Sequence, residues 1–171
     1  MRQALKEKFS NVKLLALDFD GVMTVGSFVW TDQDGKEMVQ SSRRDGLGIL
    51  LLRKNGIQCV VISMEQNPVV AARCKKLEIE CIQGVTQGKT AVLEQFSKKN
   101  NIPFSEIAYM GDDINDVLAM KKSGLALAVA DAHPKAKAAA DYVTAAEGGR
   151  GAVREVCEMI LDAKGTKIDW Q

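Results

Sequence analysis

Short apolar runs alternate along the chain with longer stretches in which apolar residues recur at helical spacing. Residues 13–19 (KLLALDF), 58–63 (QCVVIS), 106–110 (EIAYM) and 125–129 (LALAV) are nearly continuous apolar segments. Runs of this length read as strands buried on both faces, the kind found in parallel sheets. Residues 141–144 (DYVT) and 80–83 (ECIQ) add two shorter strand candidates. Between them lie helical patterns over 45–55, stopped by Gly56; 67–77, with Pro68 at the favoured first position; 89–100; 114–122, ended by Gly124; and 152–164. His133-Pro134 reads as a turn or helix start. Strand–helix alternation of this kind predicts a doubly wound α/β fold, a Rossmann-like parallel sheet with right-handed crossovers. One segment departs from it. Residues 27–31 and 36–41 flank the turn sequence Asp32-Gln33-Asp34-Gly35, which predicts a β-hairpin insert over 25–42, directly after the first strand. No repeat, low-complexity stretch or linker divides the chain, so residues 1–171 read as a single domain.

Composition changes the picture by exclusion. With 46% hydrophobic and 26% charged residues, the 171-residue chain has the make-up of an ordinary globular protein, able to bury a core without staples. No apolar run is long enough to span a bilayer. Residues 1–11 lack the apolar centre of a secretory signal, which reads as a cytoplasmic protein. Lys plus Arg number 23 against 22 Asp plus Glu, so there is no basic field to make nucleic acid the expected partner. The single histidine, His133, excludes a multi-histidine metal site. Cys59, Cys74, Cys81 and Cys157 show no C-x-x-C spacing and read as small buried hydrophobes. Any metal here is held mainly by oxygen, which favours Mg²⁺ over Zn²⁺.

The candidate chemistry sits at strand ends. The first apolar run closes in Asp18-Phe-Asp20-Gly21-Val-Met-Thr24, placing two carboxylates two residues apart where a buried strand stops. Like charges that close need a cation or a shared proton. Gly21 allows a sharp turn and close approach to a ligand. The third run closes in Gly111-Asp112-Asp113-Ile-Asn-Asp116, with Asp116 four residues after Asp112 on the same helical face. Helix capping by Asp113 or Asn115 is the plainer explanation for one of these acids, but not for all three. The second run ends in the hydroxyl of Ser63, and Lys89 opens a helix, where the macrodipole disfavours it. Alone, Ser63 reads as a cap and Lys89 as a surface lysine. Together, parallel strands bring Asp18, Asp20, Ser63 and Asp112 to one sheet edge, with Lys89 nearby. Three acids would hold one hard cation, and a hydroxyl, a lysine and backbone N–H groups would hold a phosphate-like dianion, an apparatus for phosphoryl transfer.

On these residues, in this order, the chain resembles the haloacid dehalogenase superfamily of phosphohydrolases. The resemblance implies Asp18 as the nucleophile that forms an aspartyl-phosphate, and Asp20 as general acid and then base. It implies Mg²⁺ bound by Asp18, the Asp20 backbone carbonyl and Asp112, with Asp113 and Asp116 as outer supports. It implies Ser63 and Lys89 on the phosphoryl oxygens. Only 42 residues separate Asp20 from Ser63 and 22 separate Lys89 from Asp112, so neither gap holds a cap domain and a neighbouring subunit is the expected cover. Over about residues 13–158 the chain is similar to the capless subfamily of 3-deoxy-D-manno-octulosonate-8-phosphate phosphatases and their nonulosonate relatives. The hairpin, Arg44-Asp45-Gly46-Leu-Gly48-Ile49, Arg73-Cys74, Tyr109-Met-Gly-Asp-Asp113 and Gly148-Gly-Arg-Gly-Ala-Val-Arg-Glu155 carry the likeness. Membership implies a homotetramer in which hairpins pack together and a neighbour covers each site.

Substrate choice turns on the loop after Ser63. Octulosonate enzymes typically carry Gly-Arg-Arg there, whereas this chain has Met64-Glu65-Gln66-Asn67-Pro68. Glu65, Arg73 and Lys76 resemble instead the phosphatase of 2-keto-3-deoxynononate 9-phosphate, where such residues contact the sugar acid and the arginine comes from the adjacent subunit. Arg and Lys suit a carboxylate, and Glu suits sugar hydroxyls. The alternative for Arg73, Lys75 and Lys76 is a solvated helix face. Arg43 and Arg44 read equally as subunit-contact or substrate residues or as a plain surface pair, and Gly148–Gly151 equally as a loop near a neighbour's site or a turn before the last helix. The expectation is therefore a Mg²⁺-dependent phosphatase of a nine-carbon sugar-acid phosphate (2-keto-3-deoxynononate or an N-acylneuraminate), with the octulosonate 8-phosphate as alternative. Two readings of other classes remain. One is a receiver-type signalling domain, which has no need of an acid at Asp20. The other is an inactive oligomerisation module related to the domain attached to sialic-acid cytidylyltransferases, in which the motif acids are lost.

Overall fold

The computed structural model describes residues 2–26 and 28–166. Strands β1 (Leu14–Leu17), β4 (Gln58–Ile62), β5 (Glu80–Ile82), β6 (Ile107–Gly111), β7 (Leu125–Ala128) and β8 (Tyr142–Val143) form a parallel sheet in the order β5-β4-β1-β6-β7-β8. The central strands are buried along their length, which is why their sequences are apolar without alternation. Helices α2 (Arg43–Lys54), α3 (Val69–Leu77), α4 (Lys89–Asn100), α5 (Val117–Lys122) and α6 (Pro134–Ala139) connect them, and α1 (Gln3–Ser10) and α7 (Ala152–Ala163) flank them. From β1 the chain moves first towards β5 and later towards β8. Right-handed crossovers then put α2 and α3 on one face and α5 and α6 on the other. In agreement, α7 packs on α2 and α1, while α4 packs on α5. The direction reverses at β1, so the crevice beyond its carboxyl end is where such a sheet receives a ligand.

Boundaries differ from the sequence reading where local chemistry intervenes. Helix α1 carried too little apolar pattern to be foreseen. Its Phe9 is buried, edge-on to Tyr142 at 5.9 Å between ring centres. Helix α3 begins at Val69 rather than at Asn67, because the Asn67 side chain accepts the Val69 N–H at 3.0 Å. The 114–122 pattern opens as a 3₁₀ turn, Ile114–Asp116, before α5. The hairpin exists but is much shorter than the 27–31 and 36–41 arms: β2 (Trp30–Thr31) and β3 (Glu37–Met38) pair over two residues each, around a turn closed by Asp32 N to Lys36 O at 3.0 Å. Ser27 lies outside the described residues. An isolated two-stranded ribbon with exposed side chains has little to hold it straight. Its base is fastened to the domain by Val25 N to Gln40 O at 2.9 Å. Among the described residues no cap domain interrupts either connection, and no helix is long and apolar enough to cross a membrane.

Candidate active site

Asp18 is the first residue beyond β1, and the register of β1 between β4 and β6 fixes its height relative to Ser63 and Asp112. Its backbone N–H donates to Met110 O at 3.0 Å, its Oδ1 accepts the Phe19 N–H at 2.7 Å, and its Oδ2 lies 2.6 Å from Lys89 Nζ. The side chain is almost wholly buried. The turn that follows depends on Gly21, at φ +74°, where a Cβ would stand 2.0 Å from Asp112 Oδ2. Any other residue there would push Asp112 out of the crevice. The same turn is backed by the Gly148–Gly149 segment. Gly148 N donates to Asp131 Oδ1 at 2.9 Å, Gly149 N to Val22 O at 2.9 Å, and a Cβ on Gly148 would stand 1.7 Å from Gly21 O. The segment is a tight turn leading into α7, packed under the Asp20–Thr24 loop.

Lys89, at the start of α4, is 2% exposed and bridges Asp18 at 2.6 Å and Asp116 at 2.8 Å. Asp116 is fully buried and fully partnered. Its Oδ1 accepts from Lys89 and, at 2.9 Å, from Tyr109 OH, and its Oδ2 accepts from the N–H groups of Asp112 at 3.1 Å and Asp113 at 3.2 Å. Asp113 is exposed and its carboxylate caps the following turn, accepting the Ile114 N–H at 2.6 Å. The capping explanation therefore describes Asp113, while Asp116 is a buried anchor. Ser63 is buried at the end of β4, its Oγ accepting the Glu65 N–H at 3.1 Å.

Three carboxylates share this space with one ammonium, and their proton affinities follow. Burial, then repulsion from Asp116, raises Asp18 well above the carboxylate range in spite of Lys89. Burial, then Asp116, pushes Asp112 up to about 7. Burial works against the Lys89 charge, but Asp18 and Asp116 outweigh it and hold the lysine protonated. With every group ionised the cluster carries two uncompensated negative charges, an arrangement that calls for a divalent cation. Single oxygens of Asp18, Asp112 and Asp116 lie within 4.8 Å of one another. Asp116 is nevertheless a poor ligand, because each of its oxygens already accepts two hydrogen bonds from protein donors, whereas each Asp18 oxygen meets only one. The carboxylates with capacity to meet a cation are therefore those of Asp18 and Asp112, a hard donor set.

Asp20, half-buried, is raised by burial and next by the charges of Glu65 and Glu37. It lines an open depression of about 500 Å³ with Asp18, Asp112, Asp113, Ile114 and Asn115. Glu65, whose charge acts on Asp20, uses its carboxylate on its own loop, accepting from Gln66 N and Asn67 N at 2.7 Å. Glu37, on the hairpin, accepts from Asn67 Nδ2 at 3.1 Å, so the hairpin is tied to this loop. Arg73 and Lys76 do not reach the depression within one chain. They line a separate basic groove between α2 and α3 with Arg43 and Arg53, where Arg73 donates to Ser42 O at 2.9 Å. Sequence reasoning missed Tyr109 and Glu37. Tyr109 left a signal, since a phenol in the middle of a buried strand must find a partner for its hydroxyl. Glu37 left none, because its position depends on how the hairpin folds back.

The haloacid dehalogenase-like hydrolase family matches residues 54–155. The 3-deoxy-D-manno-octulosonate 8-phosphate phosphatase of Escherichia coli K12 is 40% identical over 162 residues, 95% of this chain and 85% of the relative. The same enzyme from Moraxella catarrhalis, solved with a magnesium ion, a phosphate ion and a KDO molecule, superposes with a TM-score of 0.92 at 34% identity. That match covers 96% of this chain and 94% of the other. The cobalt-bound form of the Haemophilus influenzae phosphatase superposes at 0.87 with 35% identity, covering 92% of each chain. The buried acids around one lysine, the missing cap and these likenesses agree, and the chain belongs to the haloacid dehalogenase-like hydrolases, as a capless phosphoric monoester hydrolase of the 3-deoxy-D-manno-octulosonate-8-phosphate phosphatase type.

Proposed function

We propose that this chain hydrolyses a 2-keto-3-deoxy sugar-acid phosphate, with 3-deoxy-D-manno-octulosonate 8-phosphate as substrate, through an aspartyl-phosphate on Asp18. The observation that carries the reading is the buried Asp18–Lys89–Asp116 array beside Asp112 at the carboxyl end of β1. Asp18 Oδ attacks phosphorus as the bond to the sugar oxygen breaks. Asp20, whose proton affinity is raised by burial and its acidic neighbours, gives its proton to that oxygen. The Asp20 carboxylate then takes a proton from water, which attacks phosphorus, releases inorganic phosphate and restores Asp18. Lys89 and the Ser63 hydroxyl hold phosphoryl oxygens. Mg²⁺ on Asp18, Asp112 and the Asp20 carbonyl would supply charge neutralisation on the transferring group. The intact acids favour an enzyme over an inactive module.

This order reverses the sequence expectation about chain length. The likeness to octulosonate phosphatases runs over 95% of the chain, whereas the nine-carbon reading rests on three residues. Glu65, near enough for its charge to act on Asp20, still favours the nine-carbon acid as a second reading, with a neighbouring copy presenting Arg73 and Lys76 from their groove. Assembly belongs to the same proposal. Phe28 (77% exposed), Val29, Trp30 and Met38 (60%) are large exposed apolar side chains on the hairpin, suited to burial in a cytoplasmic homotetramer whose neighbours cover the open site.

The test is kcat/KM with Mg²⁺ for 3-deoxy-D-manno-octulosonate 8-phosphate and 2-keto-3-deoxynononate 9-phosphate, side by side. The eight-carbon acid is expected to be preferred. Preference for the nine-carbon acid hands the assignment to Glu65, and turnover of neither removes the sugar-acid reading.

A further inference from the structure

Tyr109 lies in the centre of β6, fully buried, and touches neither the depression nor any group assigned to the substrate. Its hydroxyl donates to Asp116 Oδ1 at 2.9 Å, the oxygen that also accepts from Lys89 at 2.8 Å. Two backbone N–H groups hold the other oxygen, so the carboxylate plane is fixed from both ends. Lys89 has its remaining contact with Asp18, at 2.6 Å. The ammonium is thus divided between two carboxylates, and what it gives Asp18 depends on how fully Asp116 is satisfied elsewhere. With the phenol gone, Asp116 Oδ1 would be left with Lys89 alone and would draw the ammonium towards itself.

We propose that Tyr109 is a positioning residue for phosphoryl transfer, acting through Asp116 to hold Lys89 against Asp18. The proposal rests on the roles given above to Asp18 and Lys89, but not on the identity of the sugar. Binding of substrate through other groups is untouched, so the effect belongs in kcat rather than in KM.

The test measures kcat and KM of the full chain with Mg²⁺ and p-nitrophenyl phosphate, which carries no sugar, for wild type, Tyr109→Phe, Asp116→Asn and the double variant. Tyr109→Phe is expected to lower kcat about 10-fold and to change KM less than about twofold. Added to Asp116→Asn, it is expected to cost nothing further, because the path it serves is already cut. Wild-type kcat in Tyr109→Phe, or losses that multiply in the double variant, would overturn the proposal; a merely structural hydroxyl would lower the melting temperature and leave the kcat of folded protein alone. Should Tyr109→Phe not fold, Asp116→Asn decides alone, since wild-type kcat there breaks the relay. A wild-type chain that hydrolyses no aryl phosphate counts against the phosphoryl-transfer reading itself and takes the proposal with it.

Discussion

Asp112 and Asp18 are held where their charges are least comfortable, and this has measurable consequences. Asp112 has a pKa of about 7 in the folded protein against an ordinary 3.8, so the folded state binds its proton more tightly than the unfolded chain does. Its contribution to stability is complete below about pH 4 and is lost as pH rises through about 7. Melting curves in EDTA should therefore show Tm falling across that window, and saturating Mg²⁺ should abolish the fall by replacing the proton with a cation. A flat Tm in EDTA would mean that Asp112 is not strained. Asp18→Asn should lower kcat on the order of 10⁴-fold, as loss of a nucleophile does. The same change removes one of three crowded charges, so Tm in EDTA should hold or rise. Retained turnover in Asp18→Asn would end its assignment as nucleophile.

Among elements, the turn after β1 is set less by its own residues than by what lies beneath it. Gly148 leaves no room for a side chain against Gly21 O, and Gly149 fastens to Val22. Gly148→Ala should destabilise by about 1–3 kcal/mol, read from the urea midpoint, and should lower kcat by lifting the loop that carries Asp20. Wild-type stability in that variant would mean the segment yields freely. The parallel strands and α4 were legible because apolar runs and helical spacing are local properties. Helix α1 was not, because two apolar positions, Leu5 and Phe9, suffice to dock it and make no pattern. The hairpin arms were read too long because alternation marks a strand's capacity to pair, and a single chain offers these nothing to lie on.

For the whole molecule, the proposed assembly would bury the exposed apolar side chains of the hairpin and cover the open site together. Replacing Phe28 with Ser and Trp30 with Gln should reduce the sedimenting species from a multiple of the 18.6 kDa chain to one chain. If neighbours cover the site, kcat/KM for the sugar-acid phosphate should fall at least about 10-fold, while a small aryl phosphate loses little. Equal loss on both would place the hairpin outside substrate recognition. A wild-type chain that already sediments alone would remove the tetramer.

The sequence by itself determined the sheet, the order of the acids and the absence of a cap, since each follows from residue type and spacing along the chain. Asp18, Ser63 and Asp112 had to meet, because parallel strands end at one edge. Only the tertiary structure decided which acids are tied up by protein donors and which are not. Asp116 and Asp112 are four residues apart and alike in chemistry, yet Tyr109, Lys89 and two backbone N–H groups claim every oxygen of the first and leave the second open. It also decided that Arg73 and Lys76 stand in a groove of their own, while the charge of Glu37 reaches Asp20 from the hairpin strand β3. Those relations depend on how α2, α3 and the hairpin pack across the sheet, and packing across a sheet leaves no period in the sequence.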